Sequence, residues 1–157
     1  DLPFQYGLVK NRFVTRTFIQ PTQAMRDRGV RMKLSPVREV IDGRRVVLID
    51  DSIVRGTTSR RIVNLLREAG AKEVHVRIAS PIITSPCFYG VDTSTKKELI
   101  GAQMTLEEMK DYIQADTLYF LSPEDLQNAA EPSALCMACF TGEYCTDLFS
   151  HQEQLEN

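Results

Sequence analysis

A run of four apolar residues that ends in two acids constrains the fold of this chain more than any other feature. Residues 46–49 read Val-Val-Leu-Ile, and Asp50 and Asp51 follow directly. An uninterrupted apolar run is typical of a parallel strand covered on both faces, whereas a strand with one solvated face alternates apolar and polar residues. We therefore predict a buried strand at residues 45–51 within a parallel α/β sheet.

The residues that follow complete a β-α-β unit. A helix is predicted over residues 57–69, because apolar residues recur at helical spacing and Gly70 supplies a stop. Those apolar residues are Ile62, Leu65, Leu66 and Ala69. Alternating Val74, Val76 and Ile78 predict the next strand over residues 73–79. Such units are right-handed, so the turn at residues 52–56 lies at the carboxyl edge of the first strand.

The other segments give weaker signals. Thr95, Thr105 and Ser122 each resemble a helix N-cap, the last with proline at the first helical position, and residues 117–121 predict a short strand. The segment from about residue 11 to residue 42 is rich in Lys and Arg with scattered apolar residues, which predicts a mobile loop with one short helix near residues 21–28. Residues 131–157 form a cysteine-containing tail without clear periodicity.

The turn after the first strand combines residue types that suit a phosphorylated ligand. Asp50 and Asp51 stand at the strand end where open α/β sheets bind ligands, and Gly56 allows close approach of the backbone. The hydroxyl residues at 57–59 open a helix whose free N–H groups favour a phosphate. Successive strand side chains point opposite ways, so the two aspartates do not form one chelating pair. Vicinal ribose hydroxyls, together with a divalent cation, would give both carboxylates a ligand to bind. A strand end before an N-capped helix would explain an Asp pair alone. It would not explain an apolar strand followed in order by two acids, a small turn, a glycine and three hydroxyl residues.

Composition excludes several classes of function. The net charge of −2 gives no electrostatic footprint for nucleic acid, and the apolar runs are too short to cross a bilayer. No basic segment leads into an apolar stretch at the N-terminus, which favours a cytoplasmic location. The start at Asp1, without Met, suggests a start in mid-protein. His75 and His151 stand in no recognisable acid–base setting.

The four cysteines are Cys87, Cys136, Cys139 and Cys145. In a cytosolic chain, three thiols within ten residues are poor disulfide candidates and fair metal candidates. A lone C-x-x-C is a weak signal, however, and ordinary buried thiols explain it equally well.

Residues 46–59 resemble the phosphoribosyl-pyrophosphate (PRPP) signature of type I phosphoribosyltransferases. The form Asp-Asp-Ser-Ile-Val-Arg-Gly-Thr-Thr-Ser is similar to that of one branch, the amidophosphoribosyltransferases, and the similarity extends over residues 7–12, 16–21, 29–34, 87–92 and 139–144. The resemblance implies the type I phosphoribosyltransferase fold, a parallel sheet flanked by helices, with its N-terminal part absent. Residues 1–130 would be a partial transferase domain and residues 131–157 a tail.

The resemblance also implies the reaction. Enzymes of this branch are glycosyltransferases that convert PRPP, glutamine and water to 5-phosphoribosylamine, glutamate and pyrophosphate, the first step of de novo purine biosynthesis. This chain would carry the PRPP-binding half and lack the glutaminase domain, so we do not expect the isolated chain to be active. Expected partners are PRPP, purine nucleotides, the glutaminase domain of the same chain and other copies in a homo-oligomer, a tetramer in full-length relatives, but no nucleic acid or membrane.

The family's site residues map onto matching positions. By resemblance, Asp50 and Asp51 would hold the ribose hydroxyls and Mg²⁺, and Ser52 would belong to the same substrate-binding site. The 5-phosphate would lie against Arg55, Gly56, Thr57, Thr58 and Ser59. Lys10 and Arg16 would belong to the flexible loop that closes over PRPP.

The cysteines have a family counterpart as well. Three positions match ligands of a 4Fe–4S cluster found in several bacterial members, namely Cys87, Cys136 and Cys139. In those members the fourth ligand lies upstream of the segment that corresponds to this chain. Cys145 stands where relatives usually have proline.

Two other functions stay open. One is a different type I phosphoribosyltransferase that uses a base as acceptor, against which the loop and Cys87 segments argue. The other is a non-catalytic PRPP-binding regulator, which would need a nucleic-acid-binding surface.

Overall fold

The computed structural model describes residues 3–10, 34–91, 93, 95–130 and 135–146. The first described elements are the strands β1 (Leu8–Lys10) and β2 (Leu34–Pro36), which pair antiparallel, and the short helix α1 (Arg38–Ile41). The others are, in order, β3 (Arg45–Asp50), α2 (Thr57–Glu68), β4 (Glu73–Ile78), a 3₁₀ turn (Lys96–Glu98), α3 (Ile100–Gln103), α4 (Leu106–Ile113), β5 (Thr117–Phe120), α5 (Pro123–Ala129) and α6 (Ala138–Thr141).

The second sheet confirms the predicted β-α-β unit. Its order is β3-β4-β5 and both pairings are parallel, with Arg45 opposite Glu73 and Asp50 opposite Ile78. The helix α2 begins at Thr57, as the apolar spacing predicted. All three strands therefore deliver their carboxyl ends to one edge of the sheet, where the turn after β3 lies.

One face of this sheet is covered and the other is open in the described part of the chain. The helices α2 and α4 pack against the covered face in one apolar core that includes Val63, Leu66 and Ile113. On the opposite face Ile49 is 71% exposed and Tyr119 is 59% exposed. Within the described residues the prediction that β3 is buried on both faces is therefore not met, because the helices that follow β3 and β4 both lie on the same side.

The segment from about residue 11 to residue 42, predicted to be a mobile loop with one short helix, differs from that prediction at its C-terminal end. Leu34–Pro36 is a strand and Arg38–Ile41 is a helical turn. Ile41 is 1% exposed, and Leu34 packs against the core, so these two apolar residues anchor the segment. Residues 11–33, which include the predicted short helix and most of the predicted mobile loop, lie outside the described residues.

Two of the three predicted helix caps are confirmed. Thr105 accepts a hydrogen bond from the Glu108 N–H and completes a capping box, and Ser122 caps α5 with Pro123 at the first position. Thr95 makes no side-chain cap and precedes only the 3₁₀ turn, because Leu99 is extended and interrupts the helical run before α3. Within the described residues, no helix has both the length and the apolar character that a membrane span requires.

Candidate functional site

An open pocket of about 390 Å³ lies at the carboxyl end of β3. It is lined by the ten consecutive residues from Asp50 to Ser59, which we call the phosphate turn. The structure thus brings together every residue that the sequence assigned to the ribose and the 5-phosphate. A strand that ends at Asp50 and a helix that begins at Thr57 fix the two ends of this turn.

Gly56 sets the geometry of the helix start. Its φ of 71° lies in the left-handed region, and a Cβ at this position would be 2.8 Å from Ile100 Cδ1 and 3.1 Å from Tyr112 Cε1. The first helical hydrogen bond runs from the Arg60 N–H to the Gly56 carbonyl, at 2.9 Å. The amides of residues 57–59 precede that bond, so they have no partner within the helix and can bind an anion.

The three hydroxyl residues at the start of α2 are not equivalent. Ser59 is 4% exposed, and Ile53 at the other end of the turn is equally buried. The side chains of Thr57 and Thr58 are exposed. The buried side chains of Ile53 and Ser59 therefore anchor the turn, and the exposed side chains of Thr57 and Thr58 are accessible to a ligand.

The two aspartates form a connected acidic pair. Asp50 Oδ1 accepts the Asp51 N–H at 3.1 Å, and Ser52 Oγ donates to Asp51 Oδ1 at 3.1 Å. Burial raises the pKa of the Asp50 carboxyl, the negative charge of Asp51 raises it further, and the hydrogen bond from the Asp51 N–H opposes both. A nearby cation would relieve this destabilisation of the charged form.

Carboxylate oxygens are the ligands that Mg²⁺ prefers, so the donor chemistry of Asp50 and Asp51 fits this ion. No group of three or more His, Cys, Asp or Glu side chains in the described ranges is arranged to hold a metal ion. The pair could therefore bind Mg²⁺ only together with oxygens of water or of a ligand, which is how this ion is usually held in phosphate-binding sites.

Sequence reasoning missed one residue beside the turn. Glu98 in the 3₁₀ turn accepts a hydrogen bond from Arg55, with Nη2 and Oε2 2.7 Å apart. The next segment also contacts the turn, since the Ile100 N–H donates to the Val54 carbonyl at 2.9 Å. Glu98 is 43 positions from Arg55, so no local sequence pattern could have indicated it.

The two predicted loop residues stand apart from this geometry. Lys10 ends β1, is exposed, pairs with Leu34 and does not line the pocket. Arg16 lies outside the described residues. Their role in closing over PRPP stays a prediction.

Three of the cysteines come near each other. The N–H groups of Thr84 and Ser85 both donate to the Cys139 carbonyl at 3.0 Å, which joins α6 to the chain that leads to Cys87. Burial raises the pKa of the Cys139 thiol, and negative charge on Cys87 and then on Cys136 would raise it further. All four cysteines are free thiols.

The comparisons with known proteins agree with this geometry. The model of the phosphoribosyl transferase domain matches residues 3–100, which include the whole phosphate turn. The chain belongs to the phosphoribosyltransferase family. The predicted fold is thereby confirmed, since a parallel sheet with helices carries the turn at its carboxyl edge.

Individual relatives are more specific. The chain is similar to an amidophosphoribosyltransferase of Bacillus subtilis, 58% identical over 94% of this chain and 32% of the relative. A chloroplastic amidophosphoribosyltransferase of Arabidopsis thaliana is 58% identical over 90% of this chain and 26% of the relative. A solved glutamine PRPP amidotransferase from B. subtilis, complexed with ADP and GMP, superposes with a TM-score of 0.81 at 58% identity, covering 94% of this chain and 34% of that one. The predicted resemblance to amidophosphoribosyltransferases is confirmed, and the chain spans between a quarter and about a third of the length of these relatives.

Proposed function

We propose that this chain holds the ribose and the 5-phosphate of PRPP in an amidophosphoribosyltransferase. The complete protein would convert PRPP, glutamine and water to 5-phosphoribosylamine, glutamate and pyrophosphate. The observation that carries the proposal is the pocket at the carboxyl end of β3, which the ten residues of the phosphate turn line. Two relatives that are 58% identical to this chain bear the name of this activity.

The 5-phosphate binds at the start of α2. The free amides of residues 57–59 donate to its oxygens, and the helix dipole stabilises its negative charge. The exposed hydroxyls of Thr57 and Thr58 add side-chain donors. Because Gly56 has no Cβ, the backbone can approach the phosphate closely.

Asp50 and Asp51 hold the ribose hydroxyls and Mg²⁺. Their side chains leave the backbone in different directions, so they can accept hydrogen bonds from two vicinal hydroxyls. A Mg²⁺ ion held there would supply positive charge against the pyrophosphate group of the substrate. The pKa of the Asp50 carboxyl is raised in the free protein, and a bound cation would lower it. Cation binding would therefore favour the charged carboxylate that the complex needs.

The transferase step needs no protein nucleophile. Ammonia attacks C1 of the ribose as the bond to pyrophosphate breaks, and positive charge develops on the sugar ring. Positioning of the sugar and exclusion of water by this chain's residues then supply the catalysis. In agreement, His75 lies in β4 and is held by Thr117 and Glu73, away from the residues that line the pocket.

The other roles proposed for the chain concern its surroundings. Lys10 and Arg16 would help close the site over PRPP, and a glutaminase domain of the same protein would supply ammonia. The solved relative was complexed with ADP and GMP, which supports purine nucleotides as further ligands. We also propose a homo-oligomer and a cytoplasmic location, although two plant relatives are chloroplastic.

A 4Fe–4S cluster is proposed for the complete protein only. Such a cluster needs four thiolates, whereas Cys87, Cys136 and Cys139 supply three, and these do not form a metal-holding group among the described residues. We propose that the fourth thiolate comes from a part of the complete protein upstream of this chain, as the resemblance to the family implies.

The test uses the complete protein with PRPP, Mg²⁺ and either glutamine or ammonia. Pyrophosphate release that requires PRPP and one of these nitrogen donors would support the proposal. Release that requires a purine or pyrimidine base instead would indicate a different phosphoribosyltransferase. PRPP binding without any release would indicate a regulator.

A further inference from the structure

One segment outside the pocket contacts three consecutive residues of the phosphate turn. The Ile100 N–H donates to the Val54 carbonyl at 2.9 Å. The Ile100 and Tyr112 side chains lie so close to Gly56 that they leave no room for a Cβ. Between these two positions, the Arg55 guanidinium pairs with Glu98 at 2.7 Å. The backbone of the turn is thus held from one side by the chain that leads into α3 and by α4.

The ion pair is the polar member of this set. The Arg55 and Glu98 side chains are 55% and 43% exposed, so the pair contributes little to global stability. It does, however, restrain a long side chain that belongs to the pocket lining, and Glu98 itself does not line the pocket. The Arg55 guanidinium is therefore held by a carboxylate outside the site that the ligand would occupy.

We propose that Glu98 is a positioning residue for the 5-phosphate. It restrains Arg55, and Arg55 in turn holds the turn in the conformation that directs the amides of residues 57–59 to the phosphate. Arg55 acts as a brace and not as a phosphate ligand. This inference rests on the proposed function, because the ligand concerned is the 5-phosphate of PRPP.

If Glu98 opposed phosphate binding, its substitution would change the affinity in the opposite direction. If Glu98 competed with the phosphate for Arg55, its removal would free the guanidinium and tighten binding. Two contacts favour positioning: the Ile100–Val54 hydrogen bond and the packing of Tyr112 on Gly56 act on the residues that flank Arg55 in the same turn. Arg60, one helical turn later, also lies over the Tyr112 ring at 5.1 Å, so the start of α2 is held by the same helix α4.

The experiment compares Glu98→Gln, Arg55→Gln and the double variant in the complete protein. Calorimetry measures the Kd of ribose 5-phosphate, and saturation kinetics measure the KM of PRPP and kcat. Each single variant should raise the Kd of ribose 5-phosphate and the KM of PRPP about three- to fivefold, the range expected when an exposed ion pair is lost. The double variant should bind no more weakly than either single variant, kcat of Glu98→Gln should stay within about twofold, and Arg55→Lys should recover most of the affinity.

Glu107→Gln is the matched control. Glu107 is an exposed glutamate in an ion pair with Lys110, and it makes no contact with the turn among the described contacts, so binding and thermal midpoint should not change. The thermal midpoint of Glu98→Gln should also equal that of the wild type.

Tighter binding by Glu98→Gln, unchanged binding, or an Arg55→Gln loss far larger than that of Glu98→Gln would each overturn the inference. These outcomes require a wild type that binds ribose 5-phosphate, so they leave the proposed function intact. A wild type that binds neither ribose 5-phosphate nor PRPP would overturn both.

Discussion

The phosphate turn and the cysteine region, which we define as Cys87, Cys136 and Cys139, differ in how their residues are assembled. Ten consecutive residues line the pocket of the turn, and a strand and a helix of the same β-α-β unit fix its ends. The cysteine region draws on two segments about 50 positions apart, joined by backbone bonds to the Cys139 carbonyl and by the bond from the Tyr144 hydroxyl to the Pro86 carbonyl at 2.8 Å.

This difference decides what each region can do within this chain. The turn presents free amides, hydroxyls and two carboxylates without help from any other segment except its support by residues 98–112. The three thiols are one ligand short of a 4Fe–4S cluster, and burial of Cys139 favours its neutral thiol over the thiolate that a metal needs. We therefore expect substitutions in the turn to change phosphate binding and substitutions in the cysteine region to leave it unchanged.

The largest effect is expected for Thr58→Asp. A carboxylate at the start of α2 would repel the 5-phosphate and remove a hydroxyl donor, so the affinity of the complete protein for ribose 5-phosphate should fall about 100-fold or more. Thr58→Asn is the matched control, because it has the same size without the charge, and it should cost about tenfold at most. Calorimetry that gives equal Kd values for the two variants would refute a phosphate at this position.

Asp50→Asn should weaken binding of PRPP with Mg²⁺ about tenfold, since the loss of one charged hydrogen-bonding group is worth that much. Without ligand, the folded state disfavours the charged Asp50 carboxylate, so the wild type loses stability as the pH rises from the usual Asp range through the raised pKa. The asparagine keeps the acceptor for the Asp51 N–H and does not titrate. Urea unfolding between pH 3 and pH 7 should therefore show a variant at least as stable as the wild type at neutral pH.

A lower free energy of unfolding for Asp50→Asn than for the wild type at pH 7 would contradict this prediction. It would mean that the carboxylate stabilises the free protein, and the turn would then not be prepared for a cation.

Gly56→Ala should have a smaller effect, and Gly43→Ala separates its two causes. Both glycines have φ near 70°, so alanine costs about 1–2 kcal/mol of backbone strain at either position. Only at Gly56 does the added methyl meet side chains, whereas nothing lies within 4 Å at Gly43. We expect Gly56→Ala to lose about 1 kcal/mol more of unfolding free energy, and to bind ribose 5-phosphate about fivefold more weakly. Equal losses of stability and affinity in the two variants would show that the turn is not confined by Ile100 and Tyr112.

Cys136→Ser should have the smallest effect on the turn. The affinity for ribose 5-phosphate should stay within about twofold, because this exposed thiol contacts none of the residues that line the pocket. Iron and labile sulfide per chain, measured in the complete protein after anaerobic purification, should fall in the same variant. An iron-free and fully active wild type would remove the cluster and leave these cysteines as ordinary thiols.

How much of the molecule could be predicted from its sequence follows the same division. The β-α-β unit and the turn were predictable because a strand, a glycine turn and a helix start are local patterns, and the caps at Thr105 and Ser122 are local as well. The open face of β3 was not predictable, because the apolar run does not reveal which neighbours are present to cover it. Glu98 was missed for a related reason, since its partner lies 43 residues earlier.

The most direct test of the account is a crystal structure of the complete protein with ribose 5-phosphate. We expect phosphate oxygens about 2.7–3.2 Å from the amide nitrogens of residues 57–59, with the ribose hydroxyls directed to Asp50 and Asp51. The Arg55 guanidinium should still contact Glu98 in that complex. A phosphate bound at another site while the turn stays empty would contradict the central claim.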